Sequence, residues 1–489
     1  MAGIGDCDRS HKEIADFAPP ATRGSKPLIL AGAARIDITP ELGVPLMGYG
    51  ARVGGASAVA DRIWARALSF ESHSGHPILV VSAELCLISS AQANDLRGRI
   101  ASQTGLPTDA ILVACTHTHS GPDTGVAERN AGRPEPAHVA TVFEGMVAAA
   151  GEAWRNREPA ALAWSETEAH IGRNRRVADG QIDPGLEVLR VAARGGRLLA
   201  VLFRHSCHGT VRGHDSLEIS GDWPGAASRA IEAATGAVAP FLLGAHADVD
   251  PRTRGLMDLA IPGQSVGLGA EAVRVLGREV ADAVLASLSR ARPEPDEPRL
   301  AARSASVKLP LHLGDRPPAE AQAELARRKA EVARLLGLAA GDLPRLVELY
   351  DRASESAREL PIADARERIA TVRRYIRDRS APHFADQRRE VEVEVQLLAL
   401  GRALLLALPL EPTSAVGADW RARAAAHGLG LVVGIGNGWL RYLPHASDLA
   451  HPAAHQHYEV LQSLLAPGAC EALLATGLSL ARELDAGVG

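Results

Sequence analysis

Polar side chains that can bind a metal ion or move a proton follow five apolar stretches of this sequence. The apolar stretches end near residues 115, 203, 243, 408 and 435, and each has the length and composition of a β-strand. The polar segments that follow them are 116–122, 204–209, 244–252, 409–413 and 436–442. Ligand sites of α/β sheets gather beyond the carboxyl ends of strands, so we expect these five segments to form one site.

The segment after residue 115 contains a His-x-His pair. In extended chain, residues two apart point to the same side, so His117 and His119 can face one pocket. Imidazole is the commonest protein ligand of zinc, and a catalytic zinc usually has three protein ligands and an open position. An isolated pair of this kind is more often not a metal site. Further histidines and Glu411 behind other strands favour a metal here.

Other candidate residues have competing interpretations. His205 and His208 are three apart, so we expect only one of them to enter the site. Asp222 precedes Trp223 and Pro224, which is typical of a helix N-cap, and either capping or a role in the site explains it. We expect four histidines of one Pro- and Ala-rich loop to lie at the surface or the rim, namely His445, His451, His455 and His457.

The alternation of short apolar runs with Ala-rich helical patterns predicts an α/β fold, a large mixed-sheet catalytic domain with flanking helices. We expect a loose N-terminal tail over 1–27 and one domain over 28–489. Residues 317–380 are charged, have helical spacing and are divided by Pro361, so they predict an inserted helical hairpin. This hairpin can be a lid, an oligomer contact or a peripheral structural subdomain.

Composition excludes several classes of protein. The net charge of −5 argues against a nucleic-acid partner, and five scattered cysteines without a CxxC pair indicate neither a disulfide framework nor a structural zinc knuckle. The polar N-terminal segment is unlike a signal peptide, and no apolar run reaches the roughly 20 residues needed to span a bilayer. We expect a cytoplasmic, bacterial protein, and the sequence does not indicate its oligomeric state.

Several motifs together resemble the catalytic domain of the neutral/alkaline non-lysosomal ceramidases, over roughly residues 31–480. The most specific is Thr-His-Thr-His-Ser-Gly-Pro at 116–122. The others lie at 34–40, 47–49, 64–67, 174–175, 207–208, 220–222, 248–251, 409–413, 437–442 and 458–459. The resemblance implies one Zn²⁺ per chain, and the ligands that it implies are His117, His208, Glu411 and Tyr442.

The resemblance also implies an activity, the hydrolysis of an amide (N-acyl) bond in a small molecule by water that the zinc activates. His119 and Arg175 match family residues that line the site and contact the substrate carbonyl or its tetrahedral intermediate. His119, Asp222 and Asp250 are each candidates for the group that protonates the leaving amine. An esterase or lactonase on the same scaffold is an alternative, and so is a non-catalytic binding protein. A nucleotide site at 434–438 lacks the full GxGxxG pattern.

Three departures from the family pattern bear on the substrate. Asp250 replaces an active-site serine and His246 is added upstream, Gly209 stands where the ceramidases have proline, and the sequence stops soon after the last motif, without their C-terminal immunoglobulin-like domain. We therefore expect a substrate other than membrane ceramide. His246, Asp248 and Asp250 also form an alternative, second metal site.

Overall fold

The computed structural model describes residues 29–49, 52–73, 76–126, 136–177, 179–254, 269–313, 317–343, 346–357, 359–380 and 389–486. Two mixed sheets dominate them. The larger sheet has nine strands and the smaller sheet has four. The predicted α/β fold with a large mixed sheet is confirmed.

The strands are β1 (Ile29–Asp37), β2 (Ala58–Val59), β3 (Trp64–Ser72), β4 (Pro77–Ala83), β5 (Ile111–Cys115), β6 (Glu158–Glu168), β7 (Gly172–Asn174), β8 (Gly185–Ala193), β9 (Leu198–His205), β10 (Glu218–Ile219), β11 (Phe241–Leu243), β12 (Val249–Pro251), β13 (Arg292–Pro293), β14 (Leu300–Pro310), β15 (Glu390–Leu400), β16 (Ala403–Leu408), β17 (Glu411–Pro412), β18 (Leu429–Gly434) and β19 (Tyr442–Leu443). The larger sheet has the order β11-β9-β8-β6-β1-β3-β4-β5, with β13 paired to β6, and the smaller sheet has the order β14-β15-β16-β18. The short strands outside the two sheets pair as β10 with β2, β12 with β7 and β17 with β19.

The α-helices are α1 (Ser90–Thr104), α2 (His138–Arg155), α3 (Asp222–Thr235), α4 (Gly269–Leu288), α5 (Pro318–Leu335), α6 (Leu346–Ala357), α7 (Ile362–Ser380), α8 (Ser414–Ala424), α9 (Ala446–Leu449), α10 (Tyr458–Gln462) and α11 (Ala469–Ala486). None of the helices in the described residues is both long enough and apolar enough to cross a membrane. The four cysteines in these ranges are buried free thiols.

The molecule is layered as helices, sheet, sheet and helices. Strand residues of both sheets, such as Phe70 and Leu202 of the larger and Leu398 and Leu405 of the smaller, form a core between the sheets. A second core joins the outer face of the larger sheet to α1–α4, and a third joins the smaller sheet to α8 and α11. Near-continuous apolar strands such as β16 are the expected result, because both of their faces are covered.

The charged stretch 317–380 is helical as expected, but it contains three helices where the sequence predicts the two of a hairpin. Val332 of α5, Leu349 of α6 and Val372 of α7 pack into a small core of their own. Arg377 of α7 donates to the backbone oxygen of Val460 at 3.5 Å, which places this bundle against α10. The predicted tail, 1–27, lies outside the described residues.

The ends of the two sheets are joined where the polar segments begin. Asn437, in the segment after β18, donates its backbone N–H to Val113 of β5 at 2.7 Å and accepts from the Val113 N–H at 3.0 Å. Its amide nitrogen also donates to Gln396 of β15 at 2.9 Å. One side chain therefore links the larger sheet to the smaller, and it brings the segments that follow β5 and β18 together.

Candidate metal centre

Three imidazoles and one carboxylate converge in a buried cluster at these strand ends. The Nε2 atoms of His117, His208 and His246 lie 3.4, 3.5 and 3.6 Å from the same Oε2 atom of Glu411. The rings surround this oxygen evenly, with centroids 4.7–5.2 Å apart. All four residues are at most 2% exposed. The four donor atoms lie within 4.8 Å of one another, so they form a group able to hold one metal ion.

The other nitrogen of each ring fixes its orientation. Nδ1 of His117 lies 2.8 Å from the backbone oxygen of Cys86, Nδ1 of His208 lies 3.1 Å from that of Val249, and Nδ1 of His246 lies 2.9 Å from that of Gly244. A carbonyl oxygen can only accept, so each Nδ1 donates a proton. A bond from this nitrogen to a backbone carbonyl is typical of metal-binding histidine, because it leaves the Nε2 lone pair for the metal.

The buried donor atoms fit a cation better than they fit one another. Glu411 Oε2 and His246 Nε2 are buried, and neither has a hydrogen-bond partner. A buried polar atom without a partner costs about 1–3 kcal/mol. Lone pairs on the carboxylate oxygen and on the Nε2 atoms of His208 and His246 repel each other, and a metal ion between them turns the repulsion into attraction. Imidazole with carboxylate is a ligand set that suits zinc and other first-row ions.

Burial and charge separate the acidities of the imidazoles. Burial lowers the pKa of His208 to about 3, helped by the Arg175 charge, and burial also lowers the pKa of His246, so both rings are neutral, which is the form that binds a metal. For His117, burial acts in the same direction, but Cys86 and Glu411 outweigh it and raise its pKa to about 10. Burial opposes ionisation of Glu411, yet His117 and the neighbouring rings hold its pKa well below its usual value.

Glu411 is oriented by residues of the segment after β18. Its Oε1 accepts from Trp439 Nε1 at 2.7 Å, which turns Oε2 toward the three imidazoles. Its backbone N–H donates to the Arg441 oxygen at 2.8 Å, and it is paired with Tyr442 between β17 and β19. Burial raises the pKa of the Tyr442 phenol well above its usual value, and Glu411 adds to this shift.

The segment that carries His117 and His119 is not extended, so the predicted reason for their common direction is wrong. His117 has a left-handed backbone with φ 62°, and Thr118 forms a bridge to Gly209. The two rings nevertheless meet, with their Nε2 atoms 3.2 Å apart. Gly209 explains one departure from the expected motif, because a Cβ there would lie 3.0 Å from the His117 oxygen.

His119 lies at the edge of the cluster, where a reacting group could reach it. Its ring meets Tyr49 edge to face, with centroids 4.8 Å apart. Gly48 lies under the ring with φ +115°, and a Cβ there would come within 2.4–2.7 Å of the imidazole. The glycine is therefore required both by the backbone conformation and by the space that His119 occupies.

Arg175 stands on the other side, beside Tyr442. Its Nε donates to Glu459 at 2.7 Å and its Nη1 lies 3.5 Å from Asp250 Oδ1, while its Nη2 is buried without a hydrogen-bond partner. Asp250 Oδ1 also lies 3.8 Å from His208 Nδ1. The carboxylates therefore hold Nε and Nη1 in place, and the Nη2 group is left to donate to a ligand.

Comparison with known protein families gives a match to the N-terminal part of the chain. Residues 29–257 match the family model described as "Neutral/alkaline non-lysosomal ceramidase, N-terminal". Over these residues the chain is similar to the neutral/alkaline non-lysosomal ceramidases. The matched region contains His117, His208 and His246, whereas Glu411 and Tyr442 lie beyond it. No curated protein matches the chain.

Two solved ceramidases share the fold along most of the chain. Neutral ceramidase from Pseudomonas aeruginosa is 20% identical, with a TM-score of 0.68, and the match covers 94% of this chain and 74% of that one. A ceramidase solved in complex with C2 is 19% identical, with the same TM-score, and the match covers 94% and 76% of the two chains. The ceramidase-like fold therefore extends well past residue 257.

Two candidate residues from the sequence, Asp222 and His205, have structural partners away from the cluster. Asp222 accepts from the backbone N–H groups of Val211, Arg212 and Trp223, at 2.7–3.1 Å. It is the first residue of α3, while Gly221 occupies the cap position at which the sequence places Asp222. His205 donates to Gly185 at 2.9 Å and packs against Trp223, so only His208 of that pair enters the cluster.

Asp248 is fully engaged by neighbours. Its Oδ1 accepts from the Ser414 N–H at 2.7 Å and hydroxyl at 3.0 Å, and its Oδ2 accepts from Arg176 at 2.6 Å and Asn174 at 3.2 Å. His246 belongs to the first cluster instead. Among the described residues, the alternative second site at His246, Asp248 and Asp250 is therefore not a group of converging donors.

Sequence reasoning missed the membership of His246 and the partner role of Trp439. Local sequence suggested grouping His246 with Asp248 and Asp250, but the chain turns sharply after β11. Strained backbone marks the site as well, since His117, Ile435, Asn437 and Arg441 all have positive φ without being glycine. Such residues cost about 1–3 kcal/mol each and cluster at functional sites.

Proposed function

We propose that this chain is a metal-dependent hydrolase that cleaves an amide (N-acyl) bond of a small molecule. One observation carries the proposal, the convergence of three imidazole Nε2 atoms on one buried carboxylate oxygen. The match of residues 29–257 to the ceramidase family model and the shared fold support the class of reaction. An esterase or lactonase would need the same site, so the bond cleaved is part of the test.

We propose that zinc is the metal, one ion per chain, and that His117, His208, Glu411 and Tyr442 hold it. When bound, zinc supplies a Lewis acid that polarises a carbonyl oxygen and lowers the pKa of a water molecule from about 15.7 toward 7. Trp439 supports this function by fixing the direction of Glu411.

The chain's own residues would perform the remaining steps. Arg175 Nη2 is positioned to donate to the oxygen of the substrate carbonyl as negative charge develops on it, in a buried setting where such a bond is strong. His119 is the best placed residue to deliver a proton to the leaving nitrogen, because its Nε2 adjoins the cluster. Asp222 binds three backbone N–H groups, which favours a structural role, and Asp250 is held beside Arg175.

The charges around the cluster favour a polar substrate over membrane ceramide. Arg176, whose Nη2 donates to Asp448 at 2.8 Å and to Asp248, continues the row of charges begun by Arg175, Glu459 and Asp250. A carboxylate at position 250 repels anionic groups and favours a substrate with an amine or with hydrogen-bond donors. We propose a small N-acyl compound of this kind.

The test is metal analysis and turnover on one set of proteins. We expect about one zinc per chain in the wild-type protein. We expect zinc and hydrolysis of N-acyl amides to be lost together in His117→Ala. A surface variant, His170→Ala, should retain both, because the His170 side chain is exposed and pairs with Glu168 away from the cluster.

A panel of amides and matched esters then identifies the bond. Cleavage of esters or lactones alone would replace the amidase proposal with the esterase alternative. Absence of metal after purification with zinc would overturn the hydrolase proposal and leave the binding-protein interpretation.

A further inference from the structure

We infer that His246 is an additional metal ligand, so that three imidazoles, not two, bind the ion. This inference rests on the proposed metal site but not on the substrate. The family resemblance implies two histidine ligands, His117 and His208, and His246 is not one of them. The evidence is the placement, orientation and burial of the His246 side chain.

The placement of His246 is equivalent to that of His208. His208 follows β9 and His246 follows β11, and these two strands are parallel neighbours. Their ring centroids are 4.7 Å apart, and their Nε2 atoms lie at nearly equal distances, 3.5 and 3.6 Å, from Glu411 Oε2. A metal ion that bound His208 and Glu411 at this position would have His246 Nε2 equally within reach.

The orientation of the His246 ring is fixed from two sides. Nδ1 donates to the Gly244 oxygen at 2.9 Å, and a Cβ at Gly434 would lie 3.1 Å from ring atoms. The loop itself is tied to the Glu411 loop, because the Ala247 N–H donates to the Pro412 oxygen at 3.0 Å. The ring cannot turn away without losing these contacts, so Nε2 is held toward Glu411.

Burial makes a structural explanation of His246 costly. The residue is 0% exposed, and its Nε2 has no hydrogen-bond partner, although it faces a carboxylate. A purely structural ring at this position would leave a buried acceptor facing another acceptor, which is unfavourable. Binding to a shared cation removes the conflict.

The chain provides a matched control in His205. That ring is also buried, also donates from Nδ1 to a backbone carbonyl, and also has an Nε2 without a hydrogen-bond partner. It packs against Trp223, outside the cluster. Replacing His205 therefore removes a similar ring without removing a proposed ligand.

The first experiment counts imidazole ligands in the wild-type protein. In a cobalt(II)-loaded chain, each histidine bound through Nε2 gives one strongly shifted, exchangeable proton NMR signal from its Nδ1–H. We expect three such signals in the wild-type protein and in His205→Gln, and two in His246→Gln. Two signals in the wild-type protein, unchanged in His246→Gln, would overturn the inference while leaving the proposed metal site intact.

The second experiment measures zinc affinity by competition with a chelator. We expect His246→Gln and His246→Ala to lose more than about 100-fold, beyond the roughly 10–100-fold cost of losing an outer partner of a ligand. His205→Gln should bind zinc as the wild-type protein does. Unchanged affinity in folded His246 variants, with affinity lost in His117→Ala, would contradict the inference alone. A wild-type chain that binds neither ion would overturn this inference and the proposed function together.

Discussion

At the scale of single residues, the metal site depends on hydrogen bonds that engage the other polar atoms of its four side chains. Trp439 takes up Glu411 Oε1, and backbone carbonyls take up the Nδ1 atoms of the three imidazoles. What remains is one oxygen and three nitrogens that face one another. Trp439 and these backbone carbonyls would not bind the metal ion themselves, yet they orient the atoms that would bind it.

Replacing Trp439 by phenylalanine tests this dependence. The ring is kept but the N–H that orients Glu411 is removed, so we expect zinc affinity to fall by about 10–100-fold with the fold unchanged. The measurement is chelator competition followed by circular dichroism.

Trp420→Phe is the matched control for Trp439→Phe. Trp420 is also buried, and it donates to the Leu404 oxygen at 3.4 Å, in the core of the smaller sheet. Its replacement should leave zinc affinity unchanged. Equal affinities in both variants would show that Glu411 does not need the Trp439 hydrogen bond.

At the scale of elements, the site is made by the segments that leave five strands. The sequence predicts these strands well, because buried strands are short apolar runs and both faces of each are covered. It also predicts that the segments after these strands meet in one site, because ligand sites gather beyond the carboxyl ends of strands. The family resemblance, and not the strand pattern, singles out His117, His208 and Glu411 within them. The positions of β5, β9, β16 and β18 agree with the prediction to within two residues.

What the sequence did not predict is how each segment turns. His117 has a left-handed backbone, and within 246–248 the chain sends His246 into the cluster but Asp248 toward Ser414. These directions depend on bonds between distant segments, such as Ala247 with Pro412, which no local pattern encodes. For the same reason the three-helix bundle at 317–380 could be predicted as helical but not counted correctly.

The turn at Gly48 provides a prediction at this scale. Gly48→Ala places a methyl group within 2.4–2.7 Å of the His119 side chain, so the ring must shift. We expect kcat to fall by about 10–100-fold, the cost of misplacing a reacting group by about 1 Å. Zinc content should not change, because His119 is not among the proposed ligands. Steady-state kinetics and elemental analysis measure the two effects.

Gly43→Ala is the control for Gly48→Ala. Gly43 also has a positive φ, +92°, but nothing lies within 4 Å of the position where its Cβ would be. Backbone strain should cost each variant about 1–3 kcal/mol of stability. Only Gly48→Ala should lose turnover, and a similar loss in Gly43→Ala would attribute the effect to strain alone.

At the scale of the whole molecule, buried ion pairs join the layers away from the metal site. Arg66 of β3 is 2% exposed and contacts both Glu84, after β4, and Glu232 of α3, with its Nε 2.8 Å from Glu232 Oε1. One guanidinium thus offsets two buried carboxylates between the larger sheet and its outer helices.

Arg66→Met should therefore destabilise the fold by about 3–5 kcal/mol, since it leaves carboxylates buried without their main partner. Burial already raises the pKa of Glu84, against the effect of Arg66, and removing the guanidinium raises it further. When the pKa of a carboxyl group is higher in the folded state than in the unfolded state, the protein loses stability as pH rises through the folded-state pKa. The deficit of the variant should thus grow from acid to neutral pH.

Denaturant unfolding at several pH values measures this deficit. Arg274→Met is the control, because Arg274 pairs with Glu271 at the surface of α4. Its unfolding should match that of the wild-type protein. A pH-independent deficit in Arg66→Met would point to lost packing instead of unpaired carboxylates.

The metal cluster draws its ligands from both sheets, and this has a consequence for synthesis of the chain. His117, His208 and His246 are made first, and Glu411 follows 165 residues after His246. At about 5–20 residues per second, the ribosome needs roughly 10–30 s to add the carboxylate. A nascent chain would present three imidazoles without their acid, a weaker trap for a cation. Full occupancy would then wait for β16 of the smaller sheet and for the Glu411 segment that follows it.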